Sequence, residues 1–225
     1  MTSTQLTIYS GPLSMFGAKV QIAALEKALD FDLVMVAYDS ARGYEPKHPE
    51  VLRINPKRQV PVLTHGEVEI FDSTQIFEYL EDLKPQPALW PRGPAARALA
   101  RNLEHQSDEV YFPHIIRLMS LQQELHGAAA STAIEAANRF YADMEQQLAG
   151  REWLAGSYSF ADIAFYMAAL FGERQGAPLG AATPHLLEWR DRMSGRPPVR
   201  RVVSAMATWL KAAGRPFPAF MARTI

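Results

Sequence analysis

The stretch from Asn55 to Leu83, NPKRQVPVLTHGEVEIFDSTQIFEYLEDL, constrains the fold of this chain more than any other. Val60-Pro61-Val62-Leu63 is a short apolar run interrupted by a proline. Proline lacks an amide donor, so within a sheet it belongs at an edge or a special turn. His65-Gly66-Glu67 is a turn signal and Val68-Glu69-Ile70-Phe71 a second short strand, which together predict a hairpin. Ser73 is a good N-cap residue, and Asp72 with Gln75 three positions on resembles a capping box. Ile76, Phe77, Leu80 and Leu83 then recur at helical spacing.

That geometry has chemical consequences. A cis Val60–Pro61 bond turns the Val60 backbone outward and leaves its N–H and C=O unpaired at the sheet edge, where an extended peptide can pair by strand addition. A helix start at Ser73 offers free N–H groups and a positive dipole end, suited to a carboxylate. Asp72 beside it suits an ammonium. The same residues also fit an ordinary hairpin followed by a capped helix, and taken alone they leave both readings open.

The order NPKRQVPVL, hairpin, FDSTQIFEYLED resembles the glutathione-binding half of the cytosolic glutathione transferases. In that family a valine before a cis-proline pairs with the cysteinyl backbone of glutathione, and an acidic-Ser pair at the helix start holds the γ-glutamyl end. By that resemblance Val60, Pro61, Asp72 and Ser73 are substrate-binding residues, and glutathione is the co-substrate.

Composition narrows the alternatives. The chain has 225 residues, enough for one large or two small domains. A formal charge of −1 gives no electrostatic reason to expect nucleic acid or an anionic membrane. No apolar run is long enough to span a bilayer, and MTSTQLT lacks the features of a secretion signal, which points to the cytoplasm. The absence of cysteine excludes disulfides, a protein thiolate nucleophile and Cys-based metal sites. No set of His and carboxylate residues has metal-ligand spacing, so no metal is expected.

Along the chain, Gln5–Ser10 reads as a strand, the segment after Ser14 as a helix and Phe31–Ala37 as a second strand, a unit that suggests a parallel pair. Tyr38–Pro49 is a predicted loop and Glu50–Ile54 a short helix. With the hairpin and its helix the order is βαβαββα, that of the thioredoxin fold. Lys84–Pro94, KPQPALWPRGP, carries four prolines and reads as a linker. Beyond it β-rich alternation stops, and helices are predicted near 93–125, 132–149, 159–173, 184–194 and 198–213. The expected organisation is an α/β thioredoxin-like domain (1–83), a linker (84–94) and an all-α domain (95–225), the arrangement of the cytosolic glutathione transferases. Ser159 and Asp162 form an S-x-x-D capping box before an apolar helix; in the family it is a folding element.

Ser14 is the leading catalytic candidate. It sits in the loop after the first strand, where a thioredoxin fold presents its reactive group. The run Ser14-Met15-Phe16-Gly17-Ala18-Lys19-Val20 resembles the zeta, theta and omega classes, in which a Ser or Cys here contacts the sulfur of glutathione. A free thiol has a pKa of about 8.5, and lowering it by about two units takes roughly 2.7 kcal/mol of differential stabilisation. A hydroxyl at a helix N-terminus supplies part of that through a hydrogen bond and the dipole. Tyr9 is the rival, because some classes use a tyrosine near the end of the first strand, although aligning the helices places Ser10 at that position.

In omega-like sequences a Lys before Pro-Glu binds the glycine carboxylate of glutathione. His48, which precedes Pro49-Glu50, takes that place here, with Lys47 or Gln59 assisting. His105 and Asp108, with Glu109 beside them, are read as a surface pair on a helix, with an orienting role in the cleft as the alternative. Tyr111 and Phe112 are candidates for an apolar electrophile pocket, against the commoner reading of aromatic residues on a helix as core.

These readings imply a homodimeric enzyme that adds the thiolate of glutathione to a small hydrophobic electrophile, by conjugation or double-bond isomerisation. Two other classes remain open at this point: a glutathione- or ligand-binding protein with little turnover, and a thioredoxin-fold interaction module.

Overall fold

A computed structural model describes residues 5–39, 41–45 and 47–223. The first half contains β1 (Thr7–Ser10), α1 (Met15–Glu26), β2 (Asp32–Met35), α2 (Pro49–Ile54), β3 (Val62–His65), β4 (Val68–Phe71) and α3 (Ser73–Leu83). This is the expected βαβαββα order. The strands form one sheet in the order β2-β1-β3-β4. β1 runs parallel to β2 and antiparallel to β3, with Ile8 opposite both Leu33 and Leu63. Gly66, at φ +61°, makes the β3–β4 turn that a side chain would strain.

The second half is helical: α4 (Pro94–Gln106), a π-helical turn (Ser107–Tyr111), α5 (Phe112–Ser120), α6 (Ala128–Gln147), α7 (Phe160–Gln175), α8 (Pro184–Gly195), α9 (Pro197–Ala212) and α10 (Ala219–Ala222). The single helix expected over 93–125 is therefore interrupted. The π turn inserts a residue into the repeat, which rotates every side chain beyond it relative to an ideal helix.

α7 is the centre of the core. From Phe160 to Gly172 every residue of it is buried, so it shows no polar face. Its start is held as the sequence indicates. Asp162 accepts hydrogen bonds from the amide of Ser159 at 3.0 Å, the amide of Leu154 at 3.0 Å and Trp189 Nε1 at 3.0 Å. The two halves meet through stacked rings. Phe77 of α3 lies on Phe160 of α7 with centroids 4.3 Å apart, both fully buried. Burying each ring contributes about 1.5–3 kcal/mol.

No helix or strand lies between Leu83 and Pro94, yet the segment is not a loose tether. Leu89 and Trp90 are buried, and their amides donate to the Glu81 carboxylate at 3.1 and 3.3 Å. Glu81 in turn pairs with the fully buried Lys27 at 2.6 Å. Leu89 also accepts the amide of Phe160 at 3.0 Å, tying the segment to the start of α7.

Candidate functional site

A cleft runs along the junction of the sheet half with α4, the π turn and α5. It consists of two cavities, of about 210 and 310 Å³, which share Phe16, Gln59 and Val60 as common wall. The first is walled by Val60, Pro61, Asp72 and Ser73 from one side and Asp108 and Glu109 from the other. The second contains Ser14, Lys47, His48 and Arg58, with Ile116 and Met119 of α5 opposite. The cleft is thus polarised: Asp72, Asp108 and Glu109 outnumber Lys57 and His105 at one end, and Lys47, His48 and Arg58 stand without a carboxylate at the other.

The Val60–Pro61 peptide is cis. Val60 lies outside β3, and its backbone N–H and C=O make no hydrogen bond among the described residues. Asn55, buried just upstream, ties the turn by donating to the Gln59 carbonyl at 2.6 Å and accepting from the Lys57 amide at 2.9 Å.

At the start of α3 the expected cap is corrected by one residue. Asp72, not Ser73, is the N-cap, and its carboxylate accepts the amide of Thr74 at 3.1 Å. Asp72 holds φ +76°, an unfavourable region for a residue with a Cβ, which places its side chain on the cavity wall. Ser73 becomes the first helical residue, buried beside the cavity, and Gln75 is exposed and closes no capping box.

Ser14 caps α1, accepting the amide of Gly17 at 2.9 Å. That bond uses an oxygen lone pair and leaves the hydroxyl proton free for a ligand in the cavity that Ser14 lines. Ser10 is excluded as an activating group. It is fully buried, accepts from Gln21 Nε2 at 2.8 Å and lines neither cavity. Gly17 permits this packing, because a Cβ there would overlap Ser10 Oγ. Tyr9 also lies outside both cavities. Its ring packs on His48 with centroids 5.1 Å apart, and burial, reinforced by Glu50, pushes its phenol above the usual range.

His48 is the N-cap of α2; its Nδ1 accepts the Glu50 amide at 3.2 Å, so the proton of the neutral ring sits on Nε2. Lys47 faces Glu45 at 3.3 Å. Arg58, held at φ +56°, joins this basic end and escaped the sequence reading, as did Ile116 and Met119.

One expectation about the π region is corrected. Asp108 is not a surface residue: its side chain is 9% exposed and bonds Lys19 Nζ at 2.5 Å, while His105 is exposed. Tyr111 is fully buried against Tyr141 and Phe165 and lines neither cavity. Phe112 packs edge-on against Phe16 and reaches the cleft only through that ring. Among the described residues no group of three His, Asp or Glu side chains is placed to hold a metal ion, and no helix is long and apolar enough to cross a membrane.

A sheet half with an unpaired backbone beside a cis-proline, packed on an all-helical half, defines a class, and comparison with known proteins agrees. The family model for the glutathione S-transferase N-terminal domain matches residues 8–88, and that for the C-terminal domain residues 107–197. The chain is 30% identical over 213 residues to glutathione S-transferase 3 of Zea mays, covering 89% of this chain and 94% of that one. It is also 30% identical over 109 residues to a stringent starvation protein A homolog of Coxiella burnetii, a match spanning 48% of each chain. A glutathione S-transferase from Methylobacillus flagellatus solved with GSH bound has a TM-score of 0.77 at 25% identity, over 88% of this chain and 98% of that one. The chain belongs to the glutathione S-transferase family.

Proposed function

We propose that this chain binds glutathione along the polarised cleft, activates its thiol as the thiolate and directs it at a small hydrophobic electrophile. The observation that carries the reading is Ser14: a capped helix start presents a hydroxyl with a free proton inside the cleft, next to the unpaired Val60 backbone. A hydrogen bond to a charged sulfur is worth about 1.5–3 kcal/mol, and the dipole of α1 acts in the same direction. Val60 pairs with the cysteinyl backbone, Asp72 and Ser73 hold the γ-glutamyl end, and His48 with Lys47 and Gln59 receives the glycine carboxylate. Ile116 and Met119, half exposed at the mouth of the Ser14 cavity, give the electrophile an apolar wall. The protein acts as a homodimer in the cytoplasm, in the removal of reactive compounds.

The decisive experiment is retention on immobilised glutathione followed by an electrophile panel with the eluted protein. Specific elution with free glutathione and turnover of at least one electrophile is the expected result. Retention without turnover favours a glutathione-binding protein that is not a catalyst, and failure to bind removes the reading.

A further inference from the structure

The turn that leads into Ser14 is gripped by a single side chain. Ser14 donates its amide to the Gly11 carbonyl at 3.0 Å, which closes a turn over 11–14. Tyr44 touches both corners of that turn. Its phenol oxygen accepts the Leu13 amide at 3.0 Å. Its ring lies so close over Gly11 that a Cβ there would overlap it, so this position admits the tyrosine only as glycine. Tyr44 also stands in the wall of the cavity that Ser14 lines. A side chain that spans Gly11 and Leu13 restricts the direction in which the chain leaves the turn at Ser14.

Tyr44 is itself held. Asp39 and Gly43 exchange backbone hydrogen bonds at 2.7 and 2.8 Å, and the Asp39 carboxylate accepts the amides of Ala41 and Arg42, each at 2.8 Å. This closed loop sets Tyr38 and Tyr44 edge to face, with ring centroids 4.9 Å apart. Tyr38 in turn packs on Trp209 of α9, centroids 5.4 Å apart, and its hydroxyl accepts from Arg215 Nη1 at 3.4 Å. A line of contacts therefore runs from the end of α9 through Tyr38 and Tyr44 to the turn before Ser14. Trp209 and Arg215 line neither cavity of the cleft, so the far end of the helical half reaches Ser14 from behind.

We propose that Tyr44 is a positioning residue for the thiol chemistry: by accepting the Leu13 N–H and filling the space over Gly11, it fixes the turn and with it the aim of the Ser14 hydroxyl into the cleft. The inference rests on the catalytic reading of Ser14 and adds a residue that acts through it. Burial pushes the Tyr44 phenol above the usual range, so the group stays neutral and keeps its place on the Leu13 amide. Its own hydroxyl proton goes to no acceptor among the described residues. Direct donation from Tyr44 to the sulfur is therefore the rival account. Phenylalanine at position 44 keeps the ring over Gly11 and against Tyr38 and removes only the oxygen that holds Leu13.

The test compares the full chain as wild type, Tyr44→Phe, Ser14→Ala and the double variant. The pKa of the bound glutathione thiol is read from thiolate absorbance, and turnover is read with an activated aryl halide. Tyr44→Phe should raise the thiol pKa by about one unit and lower turnover near neutral pH about tenfold, with glutathione affinity little changed. On the Ser14→Ala background the same exchange should change neither quantity, because no hydroxyl is left to aim. A purely structural loss would appear on both backgrounds. Hydrogen exchange of the Leu13 amide, measured without ligand, should be faster in Tyr44→Phe. Arg215→Met, which loosens Tyr38 from outside the cleft, should move the thiol pKa the same way, and it carries the comparison where Tyr44→Phe folds poorly. A thiol pKa that shifts in Ser14→Ala but not in Tyr44→Phe overturns the inference and leaves the role of Ser14 intact. An undiminished effect of Tyr44→Phe on the Ser14→Ala background also overturns it and makes Tyr44 a second donor to the sulfur. Wild type that binds glutathione without lowering its thiol pKa overturns the catalytic reading and this inference with it.

Discussion

Ser14 Oγ accepts the Gly17 amide at 2.9 Å and so serves the helix and the cleft with different parts of one hydroxyl. Ser14→Ala removes both. The lost cap should lower stability by about 1 kcal/mol. The lost donor should raise the pKa of bound glutathione by roughly one to two units and cut turnover near neutral pH about ten- to a hundredfold, with little change in affinity. Thiolate absorbance titrated against pH reads the shift. Coincident curves for wild type and variant, with unchanged turnover, would return Ser14 to the role of a simple cap.

Gly17→Ala probes the packing behind that hydroxyl. The new methyl would overlap Ser10 Oγ and approach Ser14 Oγ at 3.0 Å. Ser10 is fixed by Gln21, so something must shift, at about 1–3 kcal/mol. Chemical denaturation should show that loss, and the displaced Ser14 should lower turnover more than Gly→Ala in an open helix would.

Lys19→Met tests the buried charge network. It leaves Glu104 and Asp108 buried without their cation, at a cost of about 3–5 kcal/mol. The pH dependence has a definite sign. In wild type the Asp108 carboxyl is raised to about 6, above its value of about 3.9 in an unfolded chain, so the folded state holds that proton more tightly. Its contribution is therefore greatest below about pH 4 and fades as pH rises past about 6. Removing Lys19 takes away the group that opposes the rise, so the variant should be least impaired at pH 5 and most at pH 8. Urea midpoints at the two pH values decide it; equal losses would refute the coupling.

Asp162→Ala should be among the most damaging single changes. It strands two buried amides and the Trp189 indole N–H at once. Each unsatisfied donor costs about 1–3 kcal/mol, so a loss of at least 3 kcal/mol is expected in the unfolding midpoint. A loss below about 1 kcal/mol would mean that water replaces the carboxylate.

The sheet half was legible because its signals are local. A proline inside an apolar run, a glycine turn and a polar cap each act over a few residues, and only the register of the cap moved, from Ser73 to Asp72. The helical half was legible in its elements and not in its faces. The spacing of His105 and Asp108 suggested a surface pair only on the assumption of an unbroken α-helix. The π turn at Ser107–Tyr111 breaks that assumption, and Asp108 turns inward to Lys19, 89 residues earlier in the chain. Nothing local marks such a partner. Ile116 and Met119 were missed for a related reason: an apolar pair on the exposed side of a helix gives no hint that a second wall stands opposite.

The anchoring of Leu89 and Trp90 has a consequence for how selectivity arises. The connection between the halves is fastened at Leu89 and Trp90, to Glu81 on one side and to the head of the central helix on the other. That fastening limits how far one wall can swing from the other about the connection. A gap so limited sorts its visitors mainly by the side chains it presents. If glutathione occupies the cleft as proposed, single exchanges along α5 change the wall offered to an electrophile and leave the Val60 and Ser73 side untouched.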